Sequence, residues 1–182
     1  MSIISKIERL GFGYILNNFD DTINYLPKLK QRLRDQYIQL WHDTLSSQTK
    51  MQYYIKFKTV FEYEKYLDAV SNENYRQEMS RFRLSSHRLE IESGRYNNVV
   101  RADRICKVCT QNVVESEYHF LLCCSLYREF RIKYFTNMSW VSLNKFANIL
   151  SSKNKKVLVN TATFIFRSMK LRQEILSMIA AS

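Results

Sequence analysis

Residues 155–179 run KKVLVNTATFIFRSMKLRQEILSMI, and this stretch decides the fold class. Leu158, Ala162, Ile165, Met169, Leu176 and Ile179 recur at the three- and four-residue steps that collect on one face of an α-helix, and neither Gly nor Pro interrupts them. The pattern predicts a long C-terminal helix with one apolar side. Its most apolar portion, Val157 to Phe166, contains Asn160 and Thr161 and falls far short of the roughly 20 residues that cross a bilayer. No membrane span is expected.

The same spacing appears upstream. Pro27 sits where a first helical turn tolerates proline, and Leu29, Leu33, Tyr37, Leu40, Trp41 and Leu45 follow at helical steps with Lys28, Lys30, Arg32, Arg34 and Asp35 on the other side. Shorter patterns run through Val60, Phe61, Glu64, Leu67 and Val70, through Tyr75, Met79 and Phe82, through Leu126, Phe130 and Tyr134, and over Val141 to Leu150. Each needs neighbours to pack on. Only 3 Gly and 1 Pro stand against 12 Tyr and 11 Phe, so sheet-forming hairpins have little punctuation. The expected fold is mainly α, a small helical bundle with the long helix at its end. Ser93-Gly94 and Asn97-Asn98 suggest a soft boundary, giving an N-terminal helical region (1–97), a cysteine-bearing module (98–136) and a C-terminal helical region (137–182) within one compact unit.

The net charge is +11, and it is unevenly spread. Residues 1–80 hold 11 Lys+Arg and 10 Asp+Glu, residues 81–133 hold 10 and 6, and residues 134–182 hold 7 and 1, giving +1, +4 and +6. A basic second half attracts polyanions, and nucleic acid is the expected partner. The opening MSIISKIERLGFGYIL is broken by Lys6, Glu8 and Arg9 before an apolar run develops, unlike a secretory leader. The 4 cysteines are therefore expected to be reduced thiols in an intracellular protein of nucleus or cytoplasm.

Those cysteines carry the clearest chemistry. Cys106 and Cys109 form a CxxC pair able to grip one ion from a tight turn, and His119 with one of the adjacent Cys123 and Cys124 supplies a second pair. Four protein donors leave no open position for water, so the expected zinc ion is structural rather than catalytic. At 100° per residue His119 and Cys123 share a helical face and Cys124 points away. A helix that ends near Ser125 instead turns Cys124 inward and leaves Cys123 in an apolar position. Spacing favours Cys123 without excluding Cys124.

The surrounding residues carry a resemblance. RFRLSSHRLEIESGRYNN, then RICKVC, then VVESEYHFLLCCSLYREFRIKYF resemble the region beyond the reverse transcriptase domain in invertebrate non-LTR (LINE-type) retrotransposon proteins. IERLGFGYIL and QRLRDQYIQLWH resemble the approach to it, so the likeness covers most of residues 5–136. It implies a CCHC zinc module of Cys106, Cys109, His119 and Cys124, because the family's last cysteine follows the histidine by five residues. Ser125 departs from the family, which usually has proline there. A polymerase active site is missing: Asp20-Asp21 is the one Asp pair, too near Met1 for a palm domain, and is expected to cap a helix. The resemblance implies a chain that starts inside a once longer protein whose reverse transcriptase domain is a partner.

Arg81, Arg83, Arg88, Arg95, Arg101, Arg104 and Lys107 precede or enter the cysteine loop, interleaved with Phe82, Tyr96, Tyr118 and Phe120. Guanidinium forks for phosphate and rings for stacking suit RNA or DNA. The opposing account is a salt-bridged surface with Glu90 and Glu92 as partners. His42 reads as an ordinary helix residue, and His87 as a local hydrogen-bonding group. No nucleophile, carboxylate pair or phosphate loop stands in a credible setting, so no enzyme is expected. The functional expectation is a zinc-stabilised nucleic-acid-binding module. The alternatives are a zinc-braced protein-interaction module using the Tyr37/Trp41 face or Tyr53-Tyr54, and a retroelement fragment without a function.

Overall fold

Helices make up the regular structure of the computed structural model, which describes residues 2–18, 20, 23–135 and 142–181. Among the described residues the one strand-like feature is an isolated antiparallel bridge pairing Ile105 with Val114. A mainly α helical bundle with a long C-terminal helix is therefore what the chain forms. The chain separates between Gln48 and Thr49 into two compact units.

The first unit holds α1 (Ile3–Arg9), α2 (Gly13–Asn17) and α3 (Leu26–Ser47). Ser2 caps α1 by accepting from the Ser5 amide at 3.1 Å, and Gly11, at φ 79°, supplies the left-handed turn into α2. Asn24 Oδ1 accepts from the Leu26 amide at 3.1 Å where α3 starts, with Pro27 in its first turn. Asp21, half of the pair expected to cap a helix, lies outside the described residues. The predicted α3 face is only partly covered: Leu45 is buried and Leu29 and Trp41 half-buried, whereas Leu33, Tyr37 and Leu40 are exposed. A unit of this size has too little apolar surface to cover a 22-residue helix on every side.

The second unit holds α4 (Tyr54–Phe57), α5 (Tyr66–Ala69), α6 (Glu73–Arg83), α7 (Glu90–Tyr96), α8 (Arg128–Tyr134), α9 (Leu143–Leu150) and α10 (Lys155–Ala181). Helix α10 is its spine, packed by α5, α6, α8 and α9. Leu158, Ala162, Ile165 and Met169 are buried as predicted, together with Phe164. Leu176 is only half-buried and Ile179 exposed, because the last turns outrun the bundle. Phe120, fully buried, joins the layers, with ring centroids 5.4 Å from Phe82, 4.8 Å from Tyr127 and 5.9 Å from Phe164. The helix predicted over 60–70 is not formed. Only Tyr66–Ala69 is helical, and the preceding residues loop out so that Glu64 meets Lys58 and Arg83. Ser93-Gly94 lies inside α7, where a Cβ on Gly94 would stand 2.6 Å from Arg104 Cγ. The glycine admits the Arg104 side chain, while Asn98 at φ 54° makes the turn that ends the segment.

Candidate metal centre

The cysteine loop is built from two short pieces. Around the Ile105 bridge, the Cys106 amide donates to Val113 O and the Glu115 amide to Arg104 O, both at 2.9 Å. Asn112, at φ 50°, turns the chain back between them. This hairpin presents Cys106 and Cys109. The second piece starts at Ser116, whose Oγ accepts from the His119 amide at 3.2 Å, and continues as a single wide turn over His119–Cys123 with a π-helical bond from the Cys124 amide to His119 O at 2.8 Å.

That wide turn decides the fourth donor. In an α-helix the residue four after His119 shares its face, but the wider turn accommodates one more residue before the chain passes the histidine again. Cys124 then leaves the helix with extended backbone (φ −54°, ψ 123°) and turns inward. The donor atoms of Cys106, Cys109, His119 and Cys124 all lie within 4.8 Å of one another. Cys123 stands outside the cluster, half-buried beside Tyr118. The face-sharing expectation for Cys123 fails because it assumed regular helix.

The four groups could hold a metal ion. Cys109 Sγ stands 3.5 Å from His119 Nε2, and a tetrahedron with metal–sulfur and metal–nitrogen distances of about 2.3 and 2.0–2.1 Å has such an edge at about 3.6 Å. All four cysteines are free thiols, and Cys106, His119 and Cys124 are buried. Hydrogen bonding with Cys124 and burial push the Cys106 thiol up, and burial raises Cys109. An incoming cation must displace those protons.

Three charged residues that sequence reasoning passed over surround the cluster. Glu115, buried, has Oε1 3.6 Å from Cys106 Sγ and receives Arg172 of α10 on both oxygens, at 2.7 and 2.6 Å. The Glu90 amide adds 2.8 Å to Oε2, and Arg172 also reaches Glu90 Oε1 at 3.2 Å. Arg131 of α8, also buried, donates to Cys124 O. Arg172 had a signal: it falls three residues after Met169 on the apolar side of the long helix, where an arginine needs a buried partner. Glu115 and Arg131 had none.

The seven candidate nucleic-acid residues do not form one free surface. Arg83 is a correction: it is buried, donates to Leu150 O and pairs with Glu64 at 2.7 Å under the rings of Phe57 and Tyr66. Arg104 is half-buried and spends its guanidinium on Ile91 O (2.7 Å) and Val99 O (3.0 Å). Arg81 pairs with Glu78, Arg95 with Glu92 and Lys107 with Glu90, at 2.6, 3.0 and 3.0 Å. Arg88 and Arg101 are exposed and outside any ion pair among the described residues. Phe82 and Phe120 belong to the core and cannot stack on bases, while Tyr96 is exposed. Exposed cations outside ion pairs also lie on α8 and α10, at Arg128, Lys133, Arg167 and Lys170, with Tyr134 between Lys133 and Arg167 at 5.9 Å from each. His42 is exposed and belongs to no metal-ligating group among the described residues, and His87 accepts from the Leu89 amide and faces Glu117 at 3.0 Å. Among the described residues no helix is long and apolar enough to cross a membrane.

No family model matches the sequence, and comparison with curated proteins and with solved structures returned no match.

Proposed function

We propose that this chain is a zinc-stabilised nucleic-acid-binding module, related by descent to the C-terminal region of LINE-type retrotransposon proteins, that holds RNA or DNA without performing chemistry on it. The observation that carries the proposal is the four-donor cluster of Cys106, Cys109, His119 and Cys124. Three soft thiolates and an imidazole in a closed set suit zinc and leave no position for a reacting water. When bound, the ion supplies folding free energy to the loop. The cations of α8 and α10, with Arg88 and Arg101, support the polyanion partner better than the ion-paired set before the cluster.

Fluorescence anisotropy with zinc-loaded protein and a labelled single strand tests this. Affinity should fall steeply with salt, and each of Arg167→Ala and Arg101→Ala should lower the logarithmic salt slope by about 1. Absence of binding at low salt sinks the proposal. A protein-interaction module is the second reading, favoured by exposed Leu26, Leu33 and Leu40 on α3. Under it, Leu33→Glu abolishes partner capture and the arginine variants do not.

A further inference from the structure

Between α4 and α5 the chain leaves helical geometry and folds beside the end of α9 and the start of α10, enclosing a cavity of about 300 Å³. Its charged lining is Lys58, Lys65, Arg83 and Lys153 against Glu62 and Glu64, four cations to two carboxylates, a balance of +2. Two of these cations are themselves more than nine-tenths buried, Lys58 at 8% and Arg83 at 4% exposure. Both rely on one carboxylate: Lys58 Nζ is 3.1 Å from Glu64 Oε1 and Arg83 Nη2 is 2.7 Å from Oε2. Their other bonds go to main-chain carbonyls of Glu62 and Leu150. Glu62 is held at 3.0 Å by Lys153. Buried charges are ordinarily matched, and a buried cation left over is costly. Here the excess faces a cavity of ligand size.

We propose that this cavity binds the phosphate group of a phosphorylated ligand. A monoester or pyrophosphate carries about two negative charges per terminal phosphate near neutral pH, matching the +2 lining. Arg83, held under the Phe57 and Tyr66 rings at 4.6 and 5.0 Å with its terminal nitrogens on Leu150 O and Glu64, supplies buried positive charge to the wall, and Lys58 offers a point charge beside it. The lysines at the rim, Lys65 and Lys153, are exposed and can close on the anion. A free nucleotide supplies such a terminal phosphate, and a nucleic-acid backbone supplies diester phosphates with one charge each. The site owes nothing to the metal cluster and does not depend on the nucleic-acid reading.

The test is isothermal titration of the full metal-loaded chain at low salt with inorganic pyrophosphate, then with adenosine 5′-monophosphate and a short single-stranded oligonucleotide as competitors. One saturable pyrophosphate site per chain is expected. Lys58→Met should weaken it about tenfold, about 1.4 kcal/mol, as should the double variant Lys65→Gln/Lys153→Gln, whose exposed positions leave the fold intact. Lys6→Gln, exposed on α1 and outside the lining, should change nothing. Displacement by the nucleotide alone assigns the site to free phosphorylated molecules, and displacement by the oligonucleotide assigns it to nucleic acid. The proposal is overturned if pyrophosphate shows no saturable binding at about 1 mM, or if the rim double variant binds it as wild type does.

Discussion

Replacing Cys124 and Cys123 separately by serine divides the two ways of completing the metal site. A structural zinc site of this kind contributes about 10–16 kcal/mol, so one of four ligands accounts for about 2.5–4 kcal/mol, or a loss of about two to three orders of magnitude in affinity. Cys124 is fully buried and its donor atom belongs to the cluster. Cys124→Ser should therefore lose metal to a competing chromophoric chelator at concentrations the wild type withstands, and should melt earlier. Cys123 is half-buried and outside the cluster, so Cys123→Ser should keep full metal content and change stability by less than about 1 kcal/mol. If Cys123→Ser releases the ion while Cys124→Ser retains it, the wide turn at His119 does not exist in solution and the regular helix is the correct geometry.

Arg172→Met leaves Glu115 as a buried, unpaired carboxylate and should cost about 3–5 kcal/mol in urea unfolding; a shift of under 1 kcal/mol contradicts the pairing. Because Cys106 and Cys109 hold their protons above the ordinary range, metal binding must release them, so affinity should rise with pH and fall as the solution is acidified from pH 8 to 6, about one to three protons being released per ion. A flat profile in metal competition is the opposing result. Gly94→Ala drives a Cβ to 2.6 Å from Arg104 Cγ and should cost about 1–3 kcal/mol, read as a lower denaturation midpoint with the nucleic-acid salt slope unchanged. Arg83→Ala should lower the urea midpoint, since Arg83 sits under two rings and on Leu150 O, and an unchanged midpoint contradicts that packing.

What the sequence disclosed was whatever depends on regular periodicity. The buried side of α10 was legible because Leu158, Ala162, Ile165 and Met169 keep helical steps and all are buried in a helix that α5, α6, α8 and α9 pack against. Met79 and Phe82 on α6 were legible for the same reason. The failures fall where geometry departs from regularity or where tertiary partners decide. Val60 to Val70 carries helical spacing, yet Glu64 pairs with two buried cations, Lys58 shortly before the segment and Arg83 beyond it on α6. Likewise, the choice between adjacent cysteines turned on a single bond from Cys124 N to His119 O, a feature no spacing rule contains. The basic run from Arg81 to Lys107 looked like one surface because the glutamates that neutralise it are local in sequence only in part: Glu64 and Glu78 lie upstream of the run.

The placement of the cluster argues against an independent finger. Cys106 touches Glu115, Glu115 is clamped by Arg172, and Arg172 stands on the long helix that α5, α6, α8 and α9 pack against. On the other side His119 is followed at once by Phe120, whose ring joins α6 to α10. Three thiolates and one divalent ion would leave a net charge of −1, and buried Arg131 against the Cys124 carbonyl is positioned to offset it. An ion held by these donors would therefore be coupled to the core through two routes, one of charge and one of packing. Chelation should accordingly lower the unfolding midpoint of the whole 49–182 unit in one transition instead of loosening the loop alone, and two separate transitions by near- and far-ultraviolet circular dichroism would show that the coupling is absent.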